Sequence, residues 1–261
     1  MDSIKLRSPG FLLDIDGCIT LADAAELHAK ADPEAVEMLV NLFENNHPVA
    51  LITGRSIGWV RENVFVTYPD QLPFPVFMEY GWLWWSKGKL YMENSEFREK
   101  MSPFLRTLER RAASEGIIYH PEPRSSSPAD GGMWNEDKQV MVSIAANYNA
   151  PKDKVHSLIR GFINDLDIPP HRVVLHHLGL DILPADSSKK AAALNGRNLL
   201  DPKHQVKEWF VFGDSKSDKE MVEAFDPATE EVQFINTSKG ASKTVKVTLL
   251  NYTKPRENNR F

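Results

Sequence analysis

The chain has 261 residues, of which 42% are hydrophobic and 26% charged, and its formal net charge is -5. This composition argues against a disordered chain, and the acidic balance provides no general basic surface for nucleic acid. No apolar run approaches the roughly 20 residues that a membrane-spanning helix needs. The single cysteine, Cys18, excludes an intrachain disulfide and a cysteine–histidine zinc motif. We therefore expect a soluble, cytoplasmic globular protein without a nucleic-acid or membrane partner.

Strand and helix patterns alternate over residues 1–80. Short apolar runs predict buried strands at residues 11–13, 49–52 and 75–78. Between them, helical spacing of apolar residues and a capping serine predict helices at residues 33–45 and 56–64. This β-α-β-α-β order indicates a parallel sheet with helices on both faces.

The middle of the chain has a mixed pattern. The predicted elements are a hairpin at 82–92, a helix at 97–115, a strand at 138–146, a helix at 151–167 and a strand pair at 173–175 and 180–183. Residues 120–137 are rich in Pro, Ser, Gly and Asp without periodicity, which predicts a long loop. The mixture indicates a separate α+β domain at residues 81–183.

The alternating pattern resumes after this domain. The predicted elements are a helix at 188–194, a strand at 209–212, a helix at 219–225 and closing strands at 232–235 and 245–247. Residues 1–80 and 184–261 are therefore predicted to form one doubly wound, parallel-sheet α/β domain, interrupted by the middle domain.

Polar residues follow four of the predicted strands, at 14–17, 53–55, 184–190 and 213–218. In open parallel sheets, ligands bind beyond the carboxyl ends of the strands. If the four aspartates of these segments converge, each pair about 4 Å apart costs about 4 kcal/mol at an effective dielectric near 20. Such a cluster must bind a cation, hold protons or spread apart. Oxygen ligands without a nearby histidine favour Mg²⁺, and Mg²⁺ suggests phosphoryl transfer.

These segments resemble the four motifs of the haloacid dehalogenase superfamily, whose core is Rossmann-like. The motif residues are Asp14-Ile15-Asp16-Gly17, Thr53-Gly54-Arg55, Lys189 and Gly213-Asp214-xxx-Asp218. The resemblance covers essentially the whole chain, and the middle domain lies where this superfamily carries its type C2 cap. Its size and make-up are similar to the C2B caps of Cof-type sugar phosphatases, sucrose- and trehalose-phosphate phosphatases, mannosyl-3-phosphoglycerate phosphatase and phosphomannomutase. The stretch 181–189, with a lysine five residues after its proline, is similar to the Cof-type pattern.

The resemblance implies catalytic and metal-binding roles for the acidic residues. Asp14 would attack phosphorus and form an aspartyl-phosphate, while Asp16 would protonate the leaving oxygen and then activate water. Mg²⁺ would be held by the Asp14 side chain, the Asp16 backbone carbonyl and Asp214. Asp218 would complete the metal site by orienting metal-bound waters or Lys189.

The resemblance also implies a phosphate-binding set. Thr53 and the backbone N–H of Gly54 would hold phosphate oxygens, and Arg55 beside them would contact the substrate or an acid of the core. Lys189 would neutralise charge on the nucleophile and on the transferring phosphoryl group. Lys190 is the alternative for that role.

Two residues depart from the superfamily pattern. Cys18 stands after Gly17 where threonine is usual, and Ser217 stands before Asp218 where asparagine is usual. The side chain at the Cys18 position is not one that the implied reaction requires, whereas the Ser217 position bears on the outer shell of the metal site.

The leading hypothesis is a Mg²⁺-dependent phosphatase, a phosphoric monoester hydrolase acting on a small phosphorylated metabolite, with a sugar phosphate as the expected substrate. A phosphomutase of the phosphomannomutase type is the first alternative, and it would need cations in the cap for a second phosphate. A non-catalytic protein that binds a phosphate ligand is the other alternative, and the presence of all four motifs weighs against it.

Overall fold

The structure is a computed structural model. It describes residues 8–21, 30–65, 72–124, 127–147, 150–176 and 179–253. These residues form two compact units, and the second consists of residues 55–59 and 92–187. Within the described ranges, no helix has the length and apolar character to cross a membrane.

The strands, in chain order, are β1 (Gly10–Leu13), β2 (Val49–Ile52), β3 (Val76–Met78), β4 (Leu83–Ser86), β5 (Lys89–Met92), β6 (Tyr119–Arg124), β7 (Met133–Glu136), β8 (Val142–Ala146), β9 (His171–Leu175), β10 (Gly179–Pro184), β11 (Glu208–Gly213) and β12 (Glu231–Asn236). The α-helices are α1 (Pro33–Glu44), α2 (Ile57–Asn63), α3 (Glu96–Lys100), α4 (Ser102–Ser114), α5 (Lys152–Arg160), α6 (Lys189–Leu200) and α7 (Ala241–Thr253). Short 3₁₀ helices lie at Glu79–Gly81, Ile163–Asp165 and Asp218–Ala224.

The first unit contains a seven-stranded sheet in the order β12-β11-β1-β2-β3-β4-β5. The strands from β12 to β3 are parallel to one another, and β4 runs antiparallel to β3. Every residue of β1, β2 and β3 is buried, which is why these strands read as continuous apolar runs. The predicted parallel-sheet α/β core is confirmed.

The predicted hairpin at 82–92 is present as β4 and β5, and it extends the sheet of the first unit. Stacked aromatic rings connect three adjacent strands at this edge of the sheet, β3, β4 and β5. The Phe77 and Trp84 rings stack with centroids 6.2 Å apart, and the Trp84 and Tyr91 rings stack at 5.3 Å. These cross-strand pairs explain why the hairpin, predicted as part of the middle domain, extends the sheet beyond β3.

The second unit contains a five-stranded sheet in the order β6-β7-β8-β10-β9. Helices α4 and α5 supply apolar side chains to the core on this sheet, including Phe104, Leu108, Val155 and Ile159. The predicted α+β character of the middle of the chain therefore holds. The long loop predicted at 120–137 is wrong, because β7 lies within it and β6 covers its first five residues. Residues 125–126 are outside the described residues.

Two features explain why this segment was misread. Strand β6 contains Pro121 and Pro123, which lack the backbone donor of a ladder but are tolerated on an edge strand. In β7, Met133 and Trp134 are buried, but the run is too short to show alternation. Composition therefore hid two strands that pair with each other, and β7 also pairs with β8.

Three further predictions, two of helices and one of a strand, also need correction. The helix predicted at 97–115 is divided at Met101 into α3 and α4, and Pro103 lies in the first turn of α4. The closing strand predicted at 245–247 was wrong, because these residues belong to α7. Its buried residues Val245 and Leu249 are four apart, which is helical spacing. The helix predicted at 219–225 is a 3₁₀ helix.

Candidate active site

The candidate site lies at the carboxyl ends of β11, β1 and β2, three neighbouring strands in the middle of the parallel sheet. Asp14 directly follows β1, and its backbone N–H donates to the Phe212 carbonyl of β11 at 3.0 Å. Thr53 directly follows β2, and its N–H donates to the Phe77 carbonyl at 2.8 Å. Both side chains are buried. The parallel register thus places residues that are distant in sequence at one edge of the sheet.

Lys189 is the first residue of α6, which begins where the Ser188 side chain accepts a hydrogen bond from the Ala191 N–H. The Lys189 ammonium donates to Asp14 Oδ1 at 2.7 Å and also to Asp218 Oδ1. All three side chains are buried. A lysine at the start of a helix, where the dipole disfavours a cation, is stabilised here by these two carboxylates.

Lys190, the alternative for the third motif, points elsewhere. Its exposed ammonium lies 3.4 Å from Glu223 Oε2 on the protein surface. The structure therefore brings Lys189, and not Lys190, to the aspartates.

Asp218 is held by the loop that follows β11. Its Oδ2 atom accepts hydrogen bonds from the Asp214 N–H at 3.0 Å, the Ser215 N–H at 2.8 Å and the Ser215 hydroxyl at 2.7 Å. Its Oδ1 atom accepts from Lys189. Both oxygens are thus engaged by the chain's own donors, and Asp218 fixes the positions of Lys189 and of the Asp214 backbone.

Asp14, Asp214 and Asp218 form a group that fits a hard cation. Carboxylate oxygens of the three residues lie within 4.8 Å of one another, and Asp214 is exposed while the other two are buried. No histidine belongs to this group. Burial and the nearby carboxylates of Asp14 and Asp218 raise the pKa of the Cys18 thiol well above its usual value. This donor set fits Mg²⁺.

The electrostatics of the site show an excess of negative charge. Burial, together with the charges of Asp218 and Asp16, raises the pKa of Asp14 despite the opposing effect of Lys189. Burial and the charge of Asp218 raise the pKa of Asp214 to about 6. For Lys189, burial alone would lower the pKa, but the Asp14 and Asp218 carboxylates outweigh it and raise the pKa. A bound dication would relieve the repulsion that keeps protons on Asp14 and Asp214.

The loop after β1 approaches the loop after β11 very closely. Gly17 has a φ of +63°, and a Cβ atom at this position would overlap the Asp214 carboxylate. The Gly17 carbonyl accepts a hydrogen bond from the Thr237 hydroxyl at 2.8 Å, and the Thr237 N–H donates to the Gly213 carbonyl at 3.0 Å. Thr237 thus ties both loops together. Thr237 was not predicted from the sequence, because only the pairing of β12 with β11 reveals its neighbours.

The structure also places the three remaining predicted residues, Asp16, Gly54 and Arg55. Asp16 is half-buried in the loop after β1. Gly54 follows Thr53 and packs under Tyr80, whose ring would lie 3.0 Å from a Cβ atom placed on Gly54. Arg55 belongs to the second unit, where its guanidinium lies 4.7 Å from the centroid of the Trp59 ring.

Tyr80 is a second residue that the sequence analysis did not assign to the site. It has a φ of +59°, uncommon for a residue with a side chain, and its N–H donates to the Thr53 carbonyl at 3.2 Å. Its ring covers Gly54. Tyr80 therefore shapes the backbone of the predicted phosphate-binding segment, a role that depends on a backbone conformation with no sequence signal.

No protein-family model matches the sequence, and no curated protein matches it either. Solved structures with a similar fold were found. A crystal structure of a trehalose-6-phosphate phosphatase related protein is 14% identical with a TM-score of 0.57, over 93% of this chain and 97% of that chain. The C-terminal domain of trehalose-6-phosphate phosphatase from C. albicans is 13% identical with a TM-score of 0.64, over 94% of this chain and 93% of that chain.

A haloacid dehalogenase-like hydrolase from Bacteroides thetaiotaomicron is 13% identical with a TM-score of 0.61, over 93% of this chain and 100% of that chain. The coverage means that the likeness extends over both units. At these identities it shows the fold, which is the α/β fold of haloacid dehalogenase-like proteins.

Proposed function

We propose that this protein is a Mg²⁺-dependent phosphomonoester hydrolase of the haloacid dehalogenase superfamily, which cleaves a small phosphorylated metabolite through an aspartyl-phosphate on Asp14. The observation that carries the proposal is the Lys189 ammonium bound to both Asp14 and Asp218 beside Asp214. This arrangement combines a carboxylate nucleophile, a fixed cation and an oxygen-rich metal site at the ligand-binding edge of the sheet.

In the first step, an Asp14 carboxylate oxygen attacks phosphorus, and the bond between phosphorus and the ester oxygen breaks. Lys189 favours the ionised form of Asp14, as a bound dication also would, and it stabilises negative charge on the phosphoryl oxygens. Asp16 donates its proton to the departing oxygen, which leaves as an alcohol. We assign this role to Asp16 because it is half-buried in the loop after β1, two residues after the nucleophile.

In the second step, water attacks the phosphorus of the aspartyl-phosphate while Asp16 accepts a proton from it. The bond between Asp14 and phosphorus breaks, inorganic phosphate leaves, and Asp16 is protonated again for the next cycle. The sum of the two steps is hydrolysis of a phosphomonoester to an alcohol and phosphate, with no other reactant.

The residues that would hold Mg²⁺ are the Asp14 side chain, the Asp16 backbone carbonyl and the Asp214 side chain. When bound, Mg²⁺ supplies positive charge that neutralises phosphate oxygens and screens the aspartates from one another. Asp218 has both oxygens occupied by backbone and side-chain donors. We therefore assign it to orienting Lys189 and Asp214 within the metal site.

We assign Thr53 and the Gly54 N–H to the phosphate oxygens, and Arg55 to the substrate. The support for Thr53 is its buried position at the carboxyl end of β2, the strand that neighbours the one ending at Asp14. Tyr80 holds the backbone of this segment through its hydrogen bond to Thr53.

We also propose that the middle of the chain, predicted as residues 81–183, is a C2B-type cap and that the substrate is a sugar phosphate. The support is the insertion of the second unit between Thr53 and Lys189, with two helices packed on a mostly antiparallel sheet. Two of the similar structures are a trehalose-6-phosphate phosphatase domain and a related protein, which makes sugar phosphates the first class to test.

The test measures phosphate release from a panel of sugar phosphates and other phosphorylated metabolites, with Mg²⁺ or with EDTA. We expect release that requires Mg²⁺ and is lost in Asp14→Asn. Mg²⁺ should also raise the melting temperature of the wild type, and of Asp214→Asn much less. If folded protein releases no phosphate, with or without an added sugar bisphosphate, the result would contradict hydrolysis. If the protein instead isomerises a sugar phosphate and requires the bisphosphate to do so, the result would favour the mutase.

A further inference from the structure

Strand β5 is the outermost strand of the seven-stranded sheet, and within the described residues no strand pairs with its outer side. All of its residues are exposed, including three large apolar ones: Leu90 is 42% exposed, Tyr91 41% and Met92 48%. Natural proteins usually protect an open edge with charges, proline or a bulge, since it exposes unpaired backbone donors and acceptors. An edge with three consecutive apolar residues is therefore a candidate pairing surface.

The turn before β5 determines which backbone groups face outward. Lys87 and Gly88 have φ values of +50° and +73°, typical of a two-residue hairpin turn. In such a hairpin the residues that flank the turn pair by hydrogen bonds, so Lys89 and Tyr91 direct their backbone groups toward β4. The N–H and C=O groups of Leu90 and Met92 consequently point away from the sheet.

A second copy of this strand fits the edge antiparallel, with the twofold axis at Tyr91. In this register Leu90 of one copy lies opposite Met92 of the other, so their outward N–H and C=O groups bond each other. The register also places Lys89, the first residue of β5, opposite Glu93 of the other copy, the residue that directly follows β5. Both charged residues are exposed, so opposite charges meet at both ends of the paired segment.

Charge pairing distinguishes this register from those in which the twofold axis is shifted along the strand. With the axis at Leu90, Lys89 would lie opposite Tyr91, and with the axis at Met92 it would lie opposite Ser95. If the twofold axis passed between two residues, a residue whose backbone N–H and C=O groups point outward would lie opposite one whose groups point toward its own sheet. The two copies could then not form backbone hydrogen bonds. Only the register centred on Tyr91 pairs Lys89, the lysine within β5, with an acid.

We propose that the chain forms a twofold-symmetric homodimer through antiparallel pairing of β5, which joins the two seven-stranded sheets into one continuous sheet. The partner is a second copy of this chain, selected by the Lys89–Glu93 pairs and by apolar contacts of Leu90, Tyr91 and Met92. The interface is one strand wide, so the dimer is expected to be weak and concentration-dependent.

Sedimentation equilibrium over about a hundredfold range of protein concentration tests the proposal. The wild-type mass should rise from the 29.6 kDa of one chain toward that of two. Lys89→Glu and Glu93→Lys each place like charges opposite one another and should raise the dissociation constant about tenfold or more. The double variant Lys89→Glu/Glu93→Lys restores opposite charges and should regain wild-type affinity.

The matched control is Lys203→Glu, which makes the same change in net charge at an exposed loop residue before β11 and should leave the dimer unchanged. Residue-resolved amide exchange provides a second measurement, because the Leu90 and Met92 amides should exchange more slowly as concentration rises. A wild-type mass of one chain throughout the range would overturn the proposal. A dimer that Lys89→Glu and Lys203→Glu affect equally would also overturn it.

Discussion

The Lys189 ammonium lies 2.7 Å from Asp14 Oδ1, although 175 residues separate the two in sequence. The contact joins the end of β1 to the start of α6, the two parts of a core that the middle of the chain interrupts. Asp14 and Lys189 belong to different motifs, and their contact places the residues of both motifs in one site.

The first prediction compares two adjacent lysines. Lys189→Met should lower phosphatase activity by about 10²–10³-fold or more, because it removes the cation that faces the nucleophile and the phosphoryl group. It should also cost about 3 kcal/mol of stability, since Asp14 and Asp218 lose their buried counter-ion. Lys190→Met is the control and should leave both quantities close to wild type. Steady-state kinetics and urea denaturation measure them; equal losses in the two variants would contradict the assignment of Lys189.

The second prediction concerns the close approach of the two loops. Gly17→Ala introduces a Cβ that overlaps the Asp214 carboxylate, so it should displace this ligand and raise the Mg²⁺ concentration needed for half-maximal activity about tenfold or more. Gly116→Ala is the control, because Gly116 has nearly the same φ, +66°, and no atom within 4 Å of an added Cβ. It should cost only about 1 kcal/mol of backbone strain and leave Mg²⁺ dependence unchanged.

The third prediction concerns Thr237, which binds the Gly17 carbonyl through its hydroxyl. Thr237→Val keeps the shape but leaves that carbonyl without its donor, which should cost about 1–3 kcal/mol. The loop that carries Asp16 should then lose its fixed position, so kcat should fall more than KM rises. Thr237→Ser retains the hydroxyl and should recover most of the activity. A serine variant as impaired as the valine variant would show that packing, and not the hydrogen bond, matters.

The strands and site residues that were predicted correctly are those marked by a local pattern in the sequence. Strands β1, β2 and β11 were predictable because strands buried on both faces leave continuous apolar runs, and the aspartates after them were found with the strands. Lys189 was found through its spacing from Pro184. Strand β6 was missed because two prolines indicate a loop unless the strand lies at a sheet edge.

Other features depend on information that the sequence does not carry locally. The stretch 245–247 alternates valine with lysine, as a strand does, but its packing partners make it part of a helix. The site role of Thr237 depends on which strand neighbours β11. The role of Tyr80 depends on a positive φ that tertiary structure imposes.

The fourth prediction concerns the pH dependence of stability. Burial alone would raise the pKa of Asp181, but His176, 3.6 Å away, and the charge of Lys138 outweigh it and lower the pKa. A carboxyl whose pKa is lower in the folded state stabilises the protein above its unfolded pKa, and this contribution disappears as pH falls through the folded value.

Asp181→Asn should therefore lower the melting temperature at pH 7, and the deficit should shrink below about pH 4. Melting curves from pH 3 to pH 7 measure this difference. Asp167→Asn, at an exposed position of the same unit, is the control and should change the melting temperature little at any pH. A deficit for Asp181→Asn that grows as the pH falls would contradict the assigned direction.

The most direct test of the account asks whether Asp14 accepts a phosphoryl group, and it needs no knowledge of the natural substrate. Beryllium trifluoride binds an aspartate carboxylate as a tetrahedral mimic of an acyl phosphate, and ¹⁹F NMR detects the bound form. The account predicts a bound signal and a higher melting temperature for the wild type with Mg²⁺. Without Mg²⁺, or with folded Asp14→Asn, we expect no bound signal and no rise in melting temperature. A bound signal that persists in Asp14→Asn, or no binding by the wild type with Mg²⁺, would contradict it.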